Sequence, residues 1–142
     1  MLPEPDGGAG TPAPLRTRIE LHVSDLEASV AFYERLGFTA VGRSSGHASL
    51  DRAGARLKLQ SDAYIRGHDH YFTPHLEARP RGVGVETIVE VADRADLEAA
   101  HAAAVELGCV VRELREREWG AMDFRVADPD GYFLRFTTPL RR

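Results

Sequence analysis

His22 is the first side chain in this sequence whose type and surroundings suit acid–base chemistry. It stands two positions after Glu20, and residues two apart in an extended strand share one face. A neighbouring carboxylate can orient an imidazole as a general base, and Glu20 or Glu90 could fill that role. A single histidine beside a carboxylate is nevertheless more often structural than catalytic. We assign no catalytic residue and retain His22 and Glu86 only as candidates.

A second group of reactive side chains lies in residues 68–75, the only cluster of the sequence that could ligate a metal. Its members are His68, Asp69, His70 and His75. No helical or strand periodicity places them on one face, so the spacing is more typical of a solvated loop or a lid over a pocket. Tyr71 and Phe72 in the same loop are candidate ligand contacts. The sequence shows no Ser-His-Asp arrangement, phosphate loop or dinucleotide fingerprint.

The elements that position these side chains follow from hydrophobic patterning. Residues 17–23 alternate between apolar and polar types, which is typical of a half-buried strand. Ser24 with Glu27 fits a capping box, apolar residues then recur at helical spacing, and Gly37 can end the helix in the left-handed conformation. Further strands are expected at residues 38–41, 47–50 and 55–60, so the first half has the order β-α-β-β-β.

The second half restarts this order after a connector, residues 61–81, that lacks clear periodicity. Asp93 is a suitable helix cap and Gly108 a suitable helix end. The expected elements are a strand at 83–91, a helix at 95–107, a strand at 109–114 and a hairpin within 118–136 that turns at Asp128-Pro129-Asp130-Gly131.

The two halves also share sequence, which indicates an internal duplication. Asp25-Leu26-Glu27-Ala28 recurs as Asp96-Leu97-Glu98-Ala99 at an offset of 71, and Asp51 recurs as Asp128 at an offset of 77. The six additional residues fall around Arg115 to Gly120. We therefore predict an α+β fold of two βαβββ units, in which each sheet packs one face on its helix. The other face of each sheet is charged, and we expect it to line a region that the two units share.

Composition narrows the classes of partner. The chain of 142 residues has a formal net charge of -4, and its basic residues form no run, so nothing suggests a nucleic-acid partner. Its lone cysteine, Cys109, excludes an internal disulfide and is typical of a reducing compartment. No apolar run approaches the roughly 18 residues of a membrane span. We expect a cytoplasmic protein without a membrane partner.

Domain organisation is expected to be simple. Residues 1–15 are rich in Pro, Gly and Ala and are expected to form a disordered tail, the alternative being an arm that packs on a partner subunit. The two units are expected at residues 16–76 and 77–142, and together they are expected to form one structural domain.

Two motifs of the chain are distinctive. The first is His-Val-Ser-Asp-Leu-Glu-Ala-Ser-Val-Ala-Phe-Tyr-Glu-Arg-Leu-Gly-Phe at residues 22–38, and the second is Trp119-Gly120 followed by Asp128-Pro129-Asp130-Gly131. In both, the chain resembles the vicinal oxygen chelate superfamily, which includes glyoxalase I, extradiol dioxygenases, and fosfomycin and bleomycin resistance proteins. The resemblance spans about residues 16–138. It implies two βαβββ modules forming a curved mixed β-sheet with a concave ligand cavity, and a homodimer whose modules pair within or between chains.

The same resemblance places the superfamily's four metal-ligand positions. Each unit of the metal enzymes supplies one ligand from its first strand and one from its last, and these positions correspond to Arg18, Lys58, Glu86 and Arg135 here. Arginine offers no lone pair at neutral pH, lysine offers one only after unfavourable deprotonation, and both repel a divalent cation. We expect neither a metal nor a cofactor at this site, which favours the metal-free branch that the bleomycin resistance proteins represent.

Two interpretations of the charged face remain open. In one, Glu86 neutralises the cations in a salt-bridged interior, with help from Glu20, Glu90 and Asp123. In the other, unpaired cations hold an anionic or strongly polar ligand, and Trp119 resembles the aromatic residue that lines the crevice of bleomycin resistance proteins. The predicted ligand-binding residues are Arg18, Glu20, His22, Lys58, Glu86, Trp119, Asp123, Arg125 and Arg135.

The sequence therefore predicts a metal-independent protein that binds a small polar or aromatic molecule, such as an antibiotic or other natural product, with no covalent step implied. One alternative is a metal-dependent lyase, isomerase or dioxygenase with a displaced metal site built from His22, Glu20, Glu86 or the 68–75 loop. Another is a metal-free isomerase or lyase that uses His22 or Glu86 as its base. Charge on a cavity wall indicates polarity but does not identify the ligand.

Overall fold

A computed structural model describes residues 16–140, so the tail predicted at residues 1–15 lies outside the described residues. The first unit contains β1 (Glu20–Val23), α1 (Leu26–Arg35), β2 (Thr39–Arg43), β3 (His47–Arg52) and β4 (Ala55–Ser61). The second contains β5 (Glu86–Glu90), α2 (Arg94–Leu107), β6 (Val110–Glu116), β7 (Met122–Ala127) and β8 (Phe133–Thr137). Between them, the connector holds two short 3-10 turns, Asp62–Tyr64 and Thr73–His75.

The predicted α+β fold of two βαβββ units is confirmed. Each unit forms a four-stranded mixed sheet, in the order β1-β4-β3-β2 in the first unit and β5-β8-β7-β6 in the second. The first and last strands of each unit, β1 with β4 and β5 with β8, pair in parallel, and the other neighbours are antiparallel. The first strands β1 and β5 are edge strands of two separate ladders within the described residues.

Local sequence explains both helices, with one correction. Asp93 caps α2 by accepting a hydrogen bond from Asp96, and Gly108 ends this helix in the left-handed conformation, as predicted. The capping box predicted at Ser24 and Glu27 is wrong, because Asp25 caps α1 by accepting a hydrogen bond from the Ala28 amide. The Ser24 amide and hydroxyl instead donate to the carboxylate of Asp130, 106 positions away.

One apolar core joins the two units. It combines the inward positions of both sheets with the buried faces of α1 and α2, and its fully buried members include Tyr33, Leu59, Leu97 and Phe136. Arg52 on β3 adds a polar link, since its guanidinium donates two hydrogen bonds to Asp96 on α2, at 3.0 and 3.1 Å. The helices therefore cover one face of each sheet, and the polar side chains of the strands lie on the opposite face, called the open face below.

None of the helices among residues 16–140 is long and apolar enough to cross a membrane.

Candidate functional site

The open face of the first sheet carries part of the predicted charged set. Glu20 on β1 lies beside Lys58 on β4 in the parallel register, and the Glu20 carboxylate is 3.9 Å from the Lys58 ammonium. Arg18 precedes β1 and lines a small hollow of about 50 Å³ together with Lys58. Lys58 therefore has Glu20 as its neighbour in the sheet. Arg18 and Lys58, the two metal positions that the resemblance assigns to the first unit, come together around this hollow.

The open face of the second sheet is richer in arginine. Arg125 on β7 lies opposite Arg135 on β8, and Arg112 on β6 lies opposite Arg125, so three arginines occupy one row across the strands. Like charges placed directly opposite each other destabilise a sheet. Glu86 is the carboxylate closest to this row, with Oε1 at 3.4 Å from Arg135 Nε and 3.7 Å from Arg125 Nε.

The contacts of Glu86 leave the arginines incompletely satisfied. The Nε atoms of Arg125 and Arg135 are buried and have no hydrogen-bond partner within the described chain. Their distances to Glu86 are those of an ion pair, but the geometry does not make a hydrogen bond. An acceptor placed between the two guanidinium groups would complete both.

Asp123 lies on β7, two residues before Arg125, and Trp119 lies in the turn between β6 and β7. Asp123 is fully buried, and its Oδ1 accepts a hydrogen bond from Arg117 Nε at 2.7 Å, so its partner is Arg117 and not the cations of the predicted salt-bridged interior. Trp119 lies two residues after Arg117 and is 54% exposed. It lines neither the hollow on the first sheet nor a larger cleft beside β1.

The residues at the four positions that the resemblance assigns to a metal do not suit a metal ion. Three of them, Arg18, Lys58 and Arg135, are cations, and the carboxylate of Glu86 already faces two guanidinium groups. Elsewhere in the described chain, no group of three or more His, Cys, Asp or Glu side chains is placed to hold a metal ion. In the 68–75 loop, His70 Nδ1 instead accepts the Phe72 amide.

A cleft of about 690 Å³ lies beside β1, and the arginines of the row are not among its lining residues. Its walls are β1, the second half of the connector, and residues at the starts of β5 and β8. It contains Arg18, Glu20 and His22 of the predicted ligand-binding set, and also Tyr71, Phe72 and His75 of the connector. The expectation that this connector borders a pocket therefore agrees with the geometry.

A buried ion pair that sequence analysis missed supports the cleft. Arg81, at the end of the connector, donates to both carboxylate oxygens of Asp62, at its start, at 2.8 and 2.7 Å. Arg81 also donates to the carbonyl oxygens of His22 and Leu76. Close packing of Gly82 fixes the segment, because a Cβ there would lie 2.6 Å from the ring of Tyr132. No local pattern marks two residues 19 positions apart as partners.

His22 lies against one wall of this cleft and is 7% exposed. Its ring centroid is 5.1 Å from that of Phe72 and 5.4 Å from that of His70, and its backbone carbonyl accepts from Tyr132. Burial lowers the pKa of His22, against the opposing charge of Glu20, so the imidazole is neutral at pH 7. Its Nδ1 atom is buried without a hydrogen-bond partner in the described chain.

Comparison with known proteins identifies the same fold. The family model described as the Glyoxalase/Bleomycin resistance protein/Dioxygenase superfamily matches residues 17–136. A bleomycin resistance determinant encoded on the transposon Tn5 superimposes with a TM-score of 0.64 and 21% identity, covering 90% of this chain and 100% of the other. A bleomycin-binding protein complexed with bleomycin gives 0.61 and 24%, covering 89% and 100%.

A lactoylglutathione lyase from Agrobacterium tumefaciens superimposes with a TM-score of 0.62 and 18% identity, covering 90% of this chain and 96% of the other. At these identities the similarity of the solved structures shows a shared fold. A search of curated protein sequences gave no significant match.

Proposed function

Because the chain belongs to the glyoxalase/bleomycin resistance protein/dioxygenase superfamily, we propose that it binds a small molecule without a metal ion, on the open face of its second sheet. The observation that supports this proposal is the pair Arg125 and Arg135. Their Nε groups are buried, have no hydrogen-bond partner in the part of the chain that the structure describes, and share the carboxylate of Glu86. Two guanidinium groups facing one carboxylate leave one positive charge that a ligand can neutralise.

The chemistry of this site favours a ligand with an acidic group. Guanidinium groups form charge-assisted hydrogen bonds with carboxylates, sulfonates and phosphates, often two at a time. Removing a charge from water is costly, and a second anion offsets that cost for the arginine that Glu86 does not satisfy. The bleomycin resistance determinant and the bleomycin-binding protein among the related structures suggest an antibiotic or other natural product as the class of ligand.

Loss of one guanidinium should weaken such binding by about 10- to 100-fold, since hydrogen bonds to charged groups contribute roughly 1.5–3 kcal/mol. We expect this result for Arg135→Gln, measured by titration calorimetry. The ligands would be those that raise the melting temperature of the wild type in a screen of acidic natural products and antibiotics, bleomycin included. The matched control is Arg56→Gln, because Arg56 is an exposed arginine that pairs with Asp51 on the first sheet. Equal affinity in both variants would contradict the proposal.

Two further measurements use the same ligands. Trp119→Ala should weaken binding by at least ~1 kcal/mol if the exposed indole contacts the ligand, as an aromatic anchor does. Elemental analysis of the purified, untagged protein after incubation with Ni, Zn, Mn and Fe(II) and desalting should show no stoichiometric metal. Stoichiometric retention would contradict metal independence and favour a lyase or oxygenase.

We also propose that the protein is a homodimer, as the resemblance implies. The open faces of both sheets carry no helix from residues 16–140, and Ile88 on the edge strand β5 is 45% exposed. A large apolar side chain on an edge strand is a site where another chain can pair. Sedimentation equilibrium of the full chain should give a dimer mass, and Ile88→Asp should shift the equilibrium toward the monomer. A monomer at all accessible concentrations would contradict the proposal.

A further inference from the structure

We infer that the cleft beside β1 is a second binding site, and that it takes an uncharged aromatic molecule bearing an amide or a similar adjacent donor and acceptor. This inference goes beyond the proposed function. The residues that line the cleft do not include Glu86, Arg125 or Arg135, so the two sites share no charged group.

The size of the cleft suits a ligand of this kind. Its volume of about 690 Å³ falls within the roughly 300–1,000 Å³ of small-molecule sites. One side is formed by strand β1 and the other by the connector, and the hydrogen bond from Arg81 to the His22 carbonyl joins the two. Tyr132, in the turn before β8, donates to the same carbonyl and holds β1 from the second unit. The cavity is therefore formed before a ligand arrives.

The walls of the cleft are mainly apolar and remain exposed. Tyr71 and Val83 are 83% and 81% exposed, and Val85 and Phe72 are 58% and 41% exposed. Large apolar side chains grouped around a cavity gain free energy when a ligand removes them from water. The rings of Phe72 and His22, which meet edge to face at 77°, offer flat surfaces typical of sites for aromatic ligands.

Two buried polar atoms on the lining residues have no partner in the described chain. They are Nδ1 of His22 and Nε of Arg81, and both residues are at least nine-tenths buried. An unsatisfied buried polar group carries a free-energy cost, and because both residues line the cleft, a molecule bound there can supply the missing partners. The Arg81 Nε–H can donate to a ligand carbonyl, and Nδ1 of a neutral His22 can accept from a ligand N–H when its proton is on Nε2. An amide presents both groups.

The charges around these atoms cancel, which favours an uncharged ligand. Asp62 neutralises Arg81 through two hydrogen bonds, and burial lowers the pKa of His22 so that the ring is uncharged at pH 7. The remaining charged lining residues are Arg18 and Glu20, of opposite sign. An anion would find no excess positive charge here, in contrast to the arginine row.

The test uses two fluorescent probes of the same ring system with the full-length protein. N-phenyl-1-naphthylamine is uncharged, and 8-anilinonaphthalene-1-sulfonate adds a sulfonate to it. The comparison is made in Arg135→Gln, which removes a cation that could bind the sulfonate at the arginine row, and there we expect the uncharged probe to bind at least about tenfold more tightly. Val83→Glu should weaken binding of the uncharged probe by about tenfold or more, because the new carboxylate would have to be buried. Val105→Glu is the matched control, since Val105 is exposed on α2 outside the cleft. Equal binding of the two probes, or equal loss in the two variants, would overturn the inference.

The amide is tested separately by competition. Benzanilide and trans-stilbene have similar shapes, but only benzanilide carries an amide. Benzanilide should displace N-phenyl-1-naphthylamine about tenfold more effectively from the wild type. His22→Phe keeps an aromatic ring and removes Nδ1, so the preference for benzanilide should disappear in this variant while the probe still binds. A preference that survives in His22→Phe, or none in the wild type, would rule out the assigned role of His22. Melting curves of each variant confirm that it is folded.

Discussion

Asp62→Ala is expected to lower the free energy of unfolding by about 3–5 kcal/mol, because it leaves a buried guanidinium without its counter-ion. The side chains of Asp62 and Arg81 are only 2% and 8% exposed. Hydrogen bonds from Arg81 to Asp62 raise the pKa of Arg81. Arginine is not deprotonated in proteins even without such a partner, so the guanidinium stays charged after the substitution. Its remaining partners would be the backbone carbonyls of His22 and Leu76. Urea unfolding followed by circular dichroism measures the change.

The control for this variant is an exposed pair of the same chemistry. Asp51→Ala removes the partner of Arg56, a pair at the surface, and should cost at most about 1 kcal/mol. The double variant Asp62→Ala/Arg81→Met should be more stable than Asp62→Ala alone, because it also removes the orphaned charge. A cost for Asp62→Ala no larger than that for Asp51→Ala would show that the pair is not buried in solution.

The repeat, the ends of α2 and the order of helices and strands could be predicted because their signals are local. Asp93 and Gly108 bracket α2 by their own backbone preferences, and alternation along β7 and β8 assigns Phe124 and Phe136 to the core. Because the two units are duplicates, the elements assigned in one unit also predict those of the other. None of these inferences requires knowledge of which residues meet in space.

Where the prediction at Ser24 was wrong, a distant contact had replaced the local one. Ser24 is a good capping residue, but Asp130 from the second unit takes both its amide and its hydroxyl. Asp25 is also a good cap and fills the vacated role. Two adjacent residues with equal local preference can be distinguished only by the tertiary partner of one of them.

The candidate sites also depend on contacts between distant residues, which local sequence patterns do not reveal. Family positions identified Glu86 and Arg135, which do meet at 3.4 Å, but did not identify Arg125 as the second cation at that carboxylate. Arg81 and Asp62 lie in a connector without periodicity, and their pairing depends on how the connector folds over β1. The cleft is built by this long-range packing, so the sequence indicated a functional loop but not a cavity with a polar floor.

Asp128→Ala is expected to be about 3–5 kcal/mol less stable than the wild type, because Asp128 accepts hydrogen bonds from one donor on α1 and two donors in the turn between β7 and β8. Its carboxylate accepts the Tyr33 hydroxyl at 2.7 Å and the amides of Asp130 and Tyr132 at 2.9 Å each. Tyr33 is fully buried, so its hydroxyl would be left without a partner. Each unsatisfied buried group costs roughly 1–3 kcal/mol. Thermal and urea unfolding of the variant measure the loss.

Two milder substitutions separate the parts of this network. Asp128→Asn retains an oxygen for the two amides and should cost no more than about 1 kcal/mol, whereas Tyr33→Phe removes one donor and should cost about 1–1.5 kcal/mol. If Asp128→Ala proved as stable as Asp128→Asn, the hydrogen bonds to the Asp128 side chain would not contribute to the stability of the fold.

Asp128 should also give the stability a pH dependence whose sign is opposite to that of a salt-bridged carboxylate. Burial raises the pKa of Asp128 above 3.8, against the hydrogen bonds from Tyr33, Tyr132 and Asp130, so the folded state binds this proton more tightly than the unfolded state. The stability that protonation contributes is complete below about pH 3.8 and is lost as the pH rises through the folded-state pKa. Asp128→Asn cannot ionise, so the free energy of unfolding of the wild type relative to this variant should fall across that window. Urea titrations at successive pH values measure the difference, and a rise with pH would mean that the hydrogen bonds outweigh the cost of burying the charge.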